Sequence, residues 1–361
     1  MGNLATPGSI QALQRALHAK AKAEPSYRFY SLYDKIYRED VLAYAYTCCK
    51  ANKGVAGVDG EQFADIMAYG EERWLRELAQ MLRSKSYQPE AVKRVYIPKP
   101  QGKHRPLGIP TIRDRVVQTA VLLVLEPLFE ADLASEQYAY RPHRGALDAV
   151  KQVHSLLKEG RTQVVDADLS SYFDSIPHAQ LLRSVARRVV DRMLLQLIKQ
   201  WLTVSVEEEG DGQGGKRRTT RNRDNARGTP QGAPISPLLS NLYMRRFILS
   251  WQQFGLQRRY QAHIVSYADD LVICCRHEAG KALLAMHQLM MRLGLTVNEE
   301  KTRVCRVPEE TFDFLGYTFG RCYSPKTVRA YLGTRPSRKS IQRITETIHA
   351  QSEEPGRKGS C

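Results

Sequence analysis

The 361-residue chain is poor in cysteine, with seven in all and no C-x-x-C pair. That spacing argues against a zinc ribbon. Cys48–Cys49 and Cys274–Cys275 are adjacent pairs that cannot easily bridge locally, and the second pair sits in an apolar run. They read as reduced core residues of a cytosolic protein. No apolar run approaches the roughly 18 residues that span a bilayer, and the N-terminus lacks the apolar core of a signal peptide. Acidic residues are also scarce, 38 Asp and Glu against 54 Lys and Arg, for a formal net charge of +16. A balance this basic favours a polyanionic partner bound with steep salt dependence, although a basic protein without such a partner has the same composition. At this length folding buries roughly 75% of the unfolded surface, and two or three subdomains are expected.

What is present centres on His263–Cys275, HIVSYADDLVICC. Two short apolar strands flank a polar joint carrying Asp269 and Asp270. Adjacent carboxylates repel, and a divalent cation between them relieves the repulsion. A solvated acidic hairpin tip has the same pattern. A second stretch, QVVDADLSSYFDSI at 163–176, weighs against that. In a strand over Val164–Leu169, alternation puts Val164, Asp166 and Asp168 on one face. Three carboxylates on adjacent strands can hold two magnesium ions roughly 3.5–4 Å apart.

Elsewhere the periodicity predicts helices over 9–24, 62–83, 116–129, 145–158 and 279–293, and one with the stripe Val41, Leu42, Ala45 and Cys49 that Ser31–Asp34 could cap, with a strand at Val92–Pro98. A further helix runs through Leu238, Leu239, Leu242, Tyr243 and Phe247. Lys99, Lys103, His104 and Arg105 cluster around Gly102 as a basic turn, solvated or phosphate-binding. Tyr138, Tyr140, Arg141 and Arg144 interleave aromatics with arginines, which suits single-stranded nucleic acid as well as core packing. Asp174 is read as a cap or a local hydrogen bond for a helix starting near Pro177. Two decoys fail. Asp166-x-Asp168-x-Ser170 lacks the glycine and glutamate of a calcium loop. Gly210-x-Gly212-x-x-Gly215 has no strand leading in. Residues 205–228 read as a flexible, charged insertion.

YADD (267–270), the 163–176 stretch and TPQGAPISPLLSNLYM (229–244) together resemble the palm of a reverse transcriptase. More narrowly they are similar to group II intron reverse transcriptases, or maturases. RFYSLYDKIYRED (28–40), ANKGVAGVDG (51–60), YIPKPQGKHRPLGIPTIRDRVVQ (96–118), YAYRPHRGALDAV (138–150) and FLGYTFG (314–320) extend the likeness from about residue 5 to about residue 345. The resemblance implies an α+β right-hand fold. Its antiparallel palm sheet is flanked by helices, with fingers, a mostly helical N-terminal extension and a largely missing thumb. The implied divisions are 1–90 for the extension and first fingers helices, 91–162 for fingers, and 163–204 for the first palm segment. Residues 205–228 are the insertion, 229–255 a fingers/palm helix, 256–334 palm, and 335–361 the start of a short thumb.

The implied activity is RNA-directed DNA synthesis from deoxynucleotides on a primed RNA template. Two Mg²⁺ ions, or Mn²⁺ in their place, would be held by Asp168, Asp269 and Asp270. The resemblance further implies Lys301 as the acid for departing pyrophosphate, and Lys99, Arg105 and more weakly Arg113 on the nucleotide phosphates. Phe173 would stand beneath the sugar, with a core phenylalanine as the plain alternative. Gln231 and Gly232 would lie under the base pair, Leu315 and Gly316 at the primer end, and Arg141 and Arg144 on the template. Intron RNA and target DNA are implied partners, without a membrane, in the bacterial cytosol or nucleoid. Two other readings fit the motifs: an inert RNA-binding splicing cofactor or remnant, and a stand-alone bacterial reverse transcriptase of phage defence.

Overall fold

The computed structural model describes residues 4–98, 104–209 and 215–352. Among them the strands are β1 (Val92–Pro98), β2 (His104–Ile109), β3 (Gln163–Asp168), β4 (Val206–Glu209), β5 (Lys216–Thr219), β6 (His263–Tyr267), β7 (Asp270–Cys275), β8 (Arg303–Arg306), β9 (Phe312–Phe314), β10 (Tyr317–Tyr323) and β11 (Ala330–Pro336). The described residues divide into two compact units, 4–134 with 171–246, and 135–170 with 247–352. Helix and sheet are mixed, as the α+β expectation requires.

The first unit is organised by the helix Ile112–Glu130. It is buried without a break from Val116 to Leu125, mostly by apolar side chains, as a central helix must be, while Arg113, Arg115, Glu126 and Pro127 are partly exposed. Thr111 caps it by accepting the Asp114 N–H at 3.1 Å. The helices Gly8–Ala23 and Glu39–Ala51 pack on it. Pro127 lies inside the helix and offers no N–H to the carbonyl of Leu123. Gln14 of the Gly8–Ala23 helix donates its side-chain amide to that carbonyl at 3.1 Å, so the proline's cost is met across the packing interface.

A four-stranded sheet in the order β2-β1-β4-β5 completes this unit. It corrects the expectation of a flexible 205–228. Val206–Glu209 and Lys216–Thr219 of that segment form an antiparallel ladder whose first strand pairs in parallel with β1, and Arg221–Asp224 is a short helix. The charges that suggested solvation neutralise one another across strands. Arg218 Nε stands 3.1 Å from Glu207, and Arg94 and Tyr96 reach Glu208 at 3.7 and 3.2 Å. Residues 210–214, which hold most of the glycine decoy, lie outside the described residues.

The second unit holds an antiparallel sheet in the order β6-β7-β3-β8 and a three-stranded sheet, β11-β10-β9. Val164, Val265, Val272, Cys274 and Cys305 share one core with Phe312, Phe314 and Phe319. Val150, Val153 and Leu157 of the helix Ala146–Lys158 close it. The helix Ala279–Arg292 packs against β3, β7 and β8. All four described cysteines of the vicinal pairs are buried and free. No described helix is long and apolar enough to cross a membrane.

Candidate active site

The carboxylates come together in the second unit through strand register. β3 and β7 pair antiparallel with Asp168 opposite Asp270. β6 and β7 form the expected hairpin, in which Tyr267 faces Asp270 and the turn is Ala268–Asp269. Ala268 takes a left-handed φ of 56°, a conformation that costs energy in a residue with a Cβ and recurs at functional sites. Like charges directly across a ladder destabilise it. Burial, then Asp269, Asp168 and Asp166, push the Asp270 carboxyl up to about 6, against the pull of Lys301. Burial above all pushes Asp166 up to about 6, with Arg303 at 3.7 Å opposing.

Asp168 has found a substitute counter-charge. Lys301 Nζ donates to Asp168 Oδ2 at 3.0 Å, and Asn298 Nδ2 donates to the same atom at 3.1 Å. The turn carrying both is fastened to the end of β3. The Asn298 N–H donates to the Asp168 carbonyl at 2.8 Å and the Ser170 N–H to the Thr296 carbonyl at 2.9 Å. Asn298 was not anticipated. Its signal was the N-x-x-K spacing, which puts both side chains on one side of a turn. Among the described residues no three His, Cys, Asp or Glu side chains are drawn together as a metal-holding set. The donors nevertheless fit a hard divalent cation. They are the carboxylates of Asp168 and Asp270, paired in register, and of Asp269 in the adjoining turn; burial and its neighbours raise Asp270, and Asp168 already draws in an ammonium group.

Leu315 and Gly316 form the two-residue turn between β9 and β10, at φ 49° and 83°. Two positive φ values match the turn type that tight hairpins favour. The Gly316 carbonyl accepts from the Ser337 N–H at 2.8 Å and the Ser340 hydroxyl at 2.9 Å, which ties the turn to the start of the helix Arg338–Ser352.

Arg141 and Arg144 are committed locally. Arg141 donates to the Gln137 carbonyl at 2.9 Å, and Arg144 to the carbonyls of Ser135 at 2.6 Å and Gln137 at 3.4 Å.

The other anticipated residues lie in the first unit. Phe173 is 8% exposed, and its carbonyl accepts from the Thr229 N–H at 2.8 Å. Asp174 does not cap the helix His178–Ala186, whose N-cap Pro177 has no side-chain bond. Its carboxylate instead accepts from the Gln231 amide at 3.0 Å, because a short helix, Tyr172–Ser175, carries it away from the later start. Gly232 has φ 103°, and a Cβ there would stand 2.6 Å from the Gly108 carbonyl oxygen. The close approach is therefore between two backbones of this chain. Gly232→Ala is expected to cost at least about 2 kcal/mol, measured as a shift in the urea midpoint; an unchanged midpoint would refute the constraint. Arg113 stands 3.9 Å from Glu90. Lys99 and the side chain of Arg105 lie outside the described residues.

The profile of the family described as reverse transcriptase (RNA-dependent DNA polymerase) matches residues 97–319. Protein YkfC of Escherichia coli (strain K12) is 38% identical, over 92% of this chain and 93% of that protein. The group II intron-encoded protein LtrA of Lactococcus lactis subsp. cremoris is 31% identical over 61% of this chain, which spans 35% of LtrA. Nuclear intron maturase 1 of Arabidopsis thaliana, a mitochondrial protein, is 31% identical over 32% of this chain and 18% of its own length. With the profile covering well over half of its residues, the chain belongs to the reverse transcriptase (RNA-dependent DNA polymerase) family.

Proposed function

We propose that this protein is the RNA-directed DNA polymerase of a group II intron element, with intron RNA and target DNA as further partners. The observation that carries the reading is the register of Asp168 against Asp270, with Asp269 in the adjoining turn. In this reading the sheet β6-β7-β3-β8 is the palm, the sheet containing β1 and β2 belongs to the fingers, and the turn at Leu315–Gly316 grips the primer end. Divalent ions, Mg²⁺ or Mn²⁺, held by Asp168, Asp269 and Asp270 would activate a primer 3′-hydroxyl and steady the leaving pyrophosphate.

The chain's own residues supply the rest. Asp166 and Arg303, 3.7 Å apart, form a second charge pair on β3, and Asp168 is oriented toward the turn at 298–301 by its own bonds to Asn298 and Lys301. Lys301 carries the proton that a departing pyrophosphate oxygen takes. Lys99 and Arg105 would meet the nucleotide phosphates, and Gln231, held by Asp174, would meet the base pair. Two relatives, the group II intron-encoded protein LtrA and the nuclear intron maturase, support intron RNA as a partner, and the charge of +16 suits it.

The test is extension of a DNA primer on an RNA template with deoxynucleotides and Mg²⁺. Extension that stops on chelation supports the proposal. RNA binding by folded protein without extension would sink it. Phe173→Val is expected to raise ribonucleotide incorporation at least tenfold relative to deoxynucleotides, read from single-nucleotide extension. A ring at that position would exclude a 2′-hydroxyl by shape, and an unchanged preference would remove Phe173 from this role.

A further inference from the structure

The geometry points to Arg141 and Arg144 as positioning residues for the carboxylate turn, acting through strand β6; the inference rests on the polymerase reading above. β6 is an edge strand of its sheet. Such an edge has unpaired backbone groups and frays unless something covers it. Here the cover is the irregular segment Glu136–Tyr138. The Ser266 N–H donates to the Glu136 carbonyl at 2.8 Å, and the Tyr138 N–H donates to the Ser266 carbonyl at 3.0 Å. Ser266 is three residues before Asp269. Whatever holds 136–138 therefore holds the last turn-proximal rung of the strand that delivers Asp269.

That segment has no helix or sheet of its own, and the two arginines supply its fastening. Their guanidinium groups place three hydrogen bonds on the carbonyls of Ser135 and Gln137, at 2.6, 2.9 and 3.4 Å. The Arg144 guanidinium also lies 5.2 Å from the centre of the Tyr138 ring, a cation–π contact. The loop that returns the arginines to the segment is tightly wound, with Tyr140 and His143 at φ 55° and 60°. The Glu136 carboxylate is fixed from the other side by the Gln252 amide at 2.8 Å and the Ser135 hydroxyl at 3.0 Å. Gln137 is fully buried. Positive charge placed on backbone carbonyls in this way braces a strand, and a small displacement of a catalytic group, about 1 Å, can cost roughly 10²-fold in rate.

The experiment compares wild type with Arg144→Met, Arg141→Gln and Arg144→Lys. Three readouts are taken: amide exchange of the metal-free protein, RNA-template affinity as a function of salt, and extension at saturating template. For Arg144→Met the amides of Tyr138 and Ser266 are expected to exchange faster while β9–β11 stay unchanged. Template affinity should stay within about twofold, and the extension rate should fall between about tenfold and 10²-fold. Arg144→Lys should recover part of the loss, because one ammonium reaches a carbonyl but cannot fork across two. Arg141→Gln removes one bond, and it should show the same pattern in smaller measure should Arg144→Met fail to fold.

The inference is overturned if exchange at Ser266 is unaltered. It is overturned equally if affinity falls with a log–log salt slope lower by about 0.7–0.9 while the rate at saturation holds, since that marks a phosphate contact. Absence of extension by the wild type would sink the polymerase reading instead, and exchange at Ser266 would still decide the brace.

Discussion

Asp270→Asn is expected to make the metal-free protein more stable and the enzyme nearly inactive. Asp270 is opposite Asp168 in the ladder and next to Asp269, and burial adds to the repulsion. Its carboxyl, pushed up to about 6, lies some two units above that of an unfolded aspartate, about 3.9, and each unit is worth about 1.36 kcal/mol. The folded protein therefore binds the extra proton between those values. Stability is lost as the pH rises from about 4 to about 6 and stays low above that range. An asparagine carries no such penalty. At pH 8 in chelator its urea midpoint should rise, by up to about 3 kcal/mol of stability, and the wild type's slope between pH 4 and 6 should flatten. Added Mg²⁺ should stabilise the wild type by mass action and the variant much less. Extension should fall by about 10³-fold or more, because losing metal-borne charge stabilisation costs several kcal/mol. A variant less stable than wild type in chelator at pH 8 would show that the repulsion is not the governing force at this position.

Arg188→Ala should unfold the first unit more readily than any surface change. Arg188 is 1% exposed. Its guanidinium donates to the carbonyls of Ala21 at 2.6 Å, Glu24 at 2.9 Å and Pro25, and its Nε stands 3.3 Å from Asp132. Ala21 is in the last turn of the helix Gly8–Ala23, where carbonyls have no intrahelical donor, Glu24 is its C-cap, and Pro25 follows. The backbone at 188–190 also brackets Phe29, through Phe29 N–H to the Arg188 carbonyl at 2.6 Å and Val190 N–H to the Phe29 carbonyl at 2.8 Å. Removing the side chain leaves Asp132 without its most buried partner and takes the donor from the carbonyls of Ala21 and Pro25, while Glu24 keeps the Tyr27 N–H at 3.0 Å. Breaking a buried pair from one side costs about 3–5 kcal/mol, and a shift of that size should appear in urea unfolding. Arg188→Lys should recover little, since an ammonium cannot serve carbonyls and carboxylate in one plane. A cost below about 1 kcal/mol for the alanine variant would mean that the Arg188 contacts do not hold the N-terminal helix in place.

The regular parts of this fold were legible because apolar spacing records which face is buried. Val164 and Val165 lie on opposite faces of β3, and the apolar run 116–129 announced a helix buried all round. The pairing of Asp168 with Asp270 was only half legible. Alternation gave the face, while register depends on contacts between strands far apart in sequence. Where charge was taken as a sign of solvent, the reading failed. The Glu207–Arg218 and Glu208–Arg94 pairs turn an apparent insertion into sheet, and no local pattern shows that opposite charges 11 or 114 residues apart will meet. The local hydrogen bonds of Arg141 and Arg144 were not legible, because the acceptors they use are backbone carbonyls, which every residue carries and no sequence distinguishes. The partners of Asp174 and Gly232 were illegible for a similar reason. The first meets Gln231 and the second meets Gly108, both remote in the chain.

The decisive measurement is primer extension on an annealed RNA template with deoxynucleotides and Mg²⁺, by the wild type and by Asp269→Asn side by side, with folding of both checked by urea unfolding. Extension by the wild type and a rate at least about 10³-fold lower in the variant, at undiminished stability, is the outcome expected if the carboxylate turn holds the catalytic ions. Extension by Asp269→Asn at near the wild-type rate would contradict it.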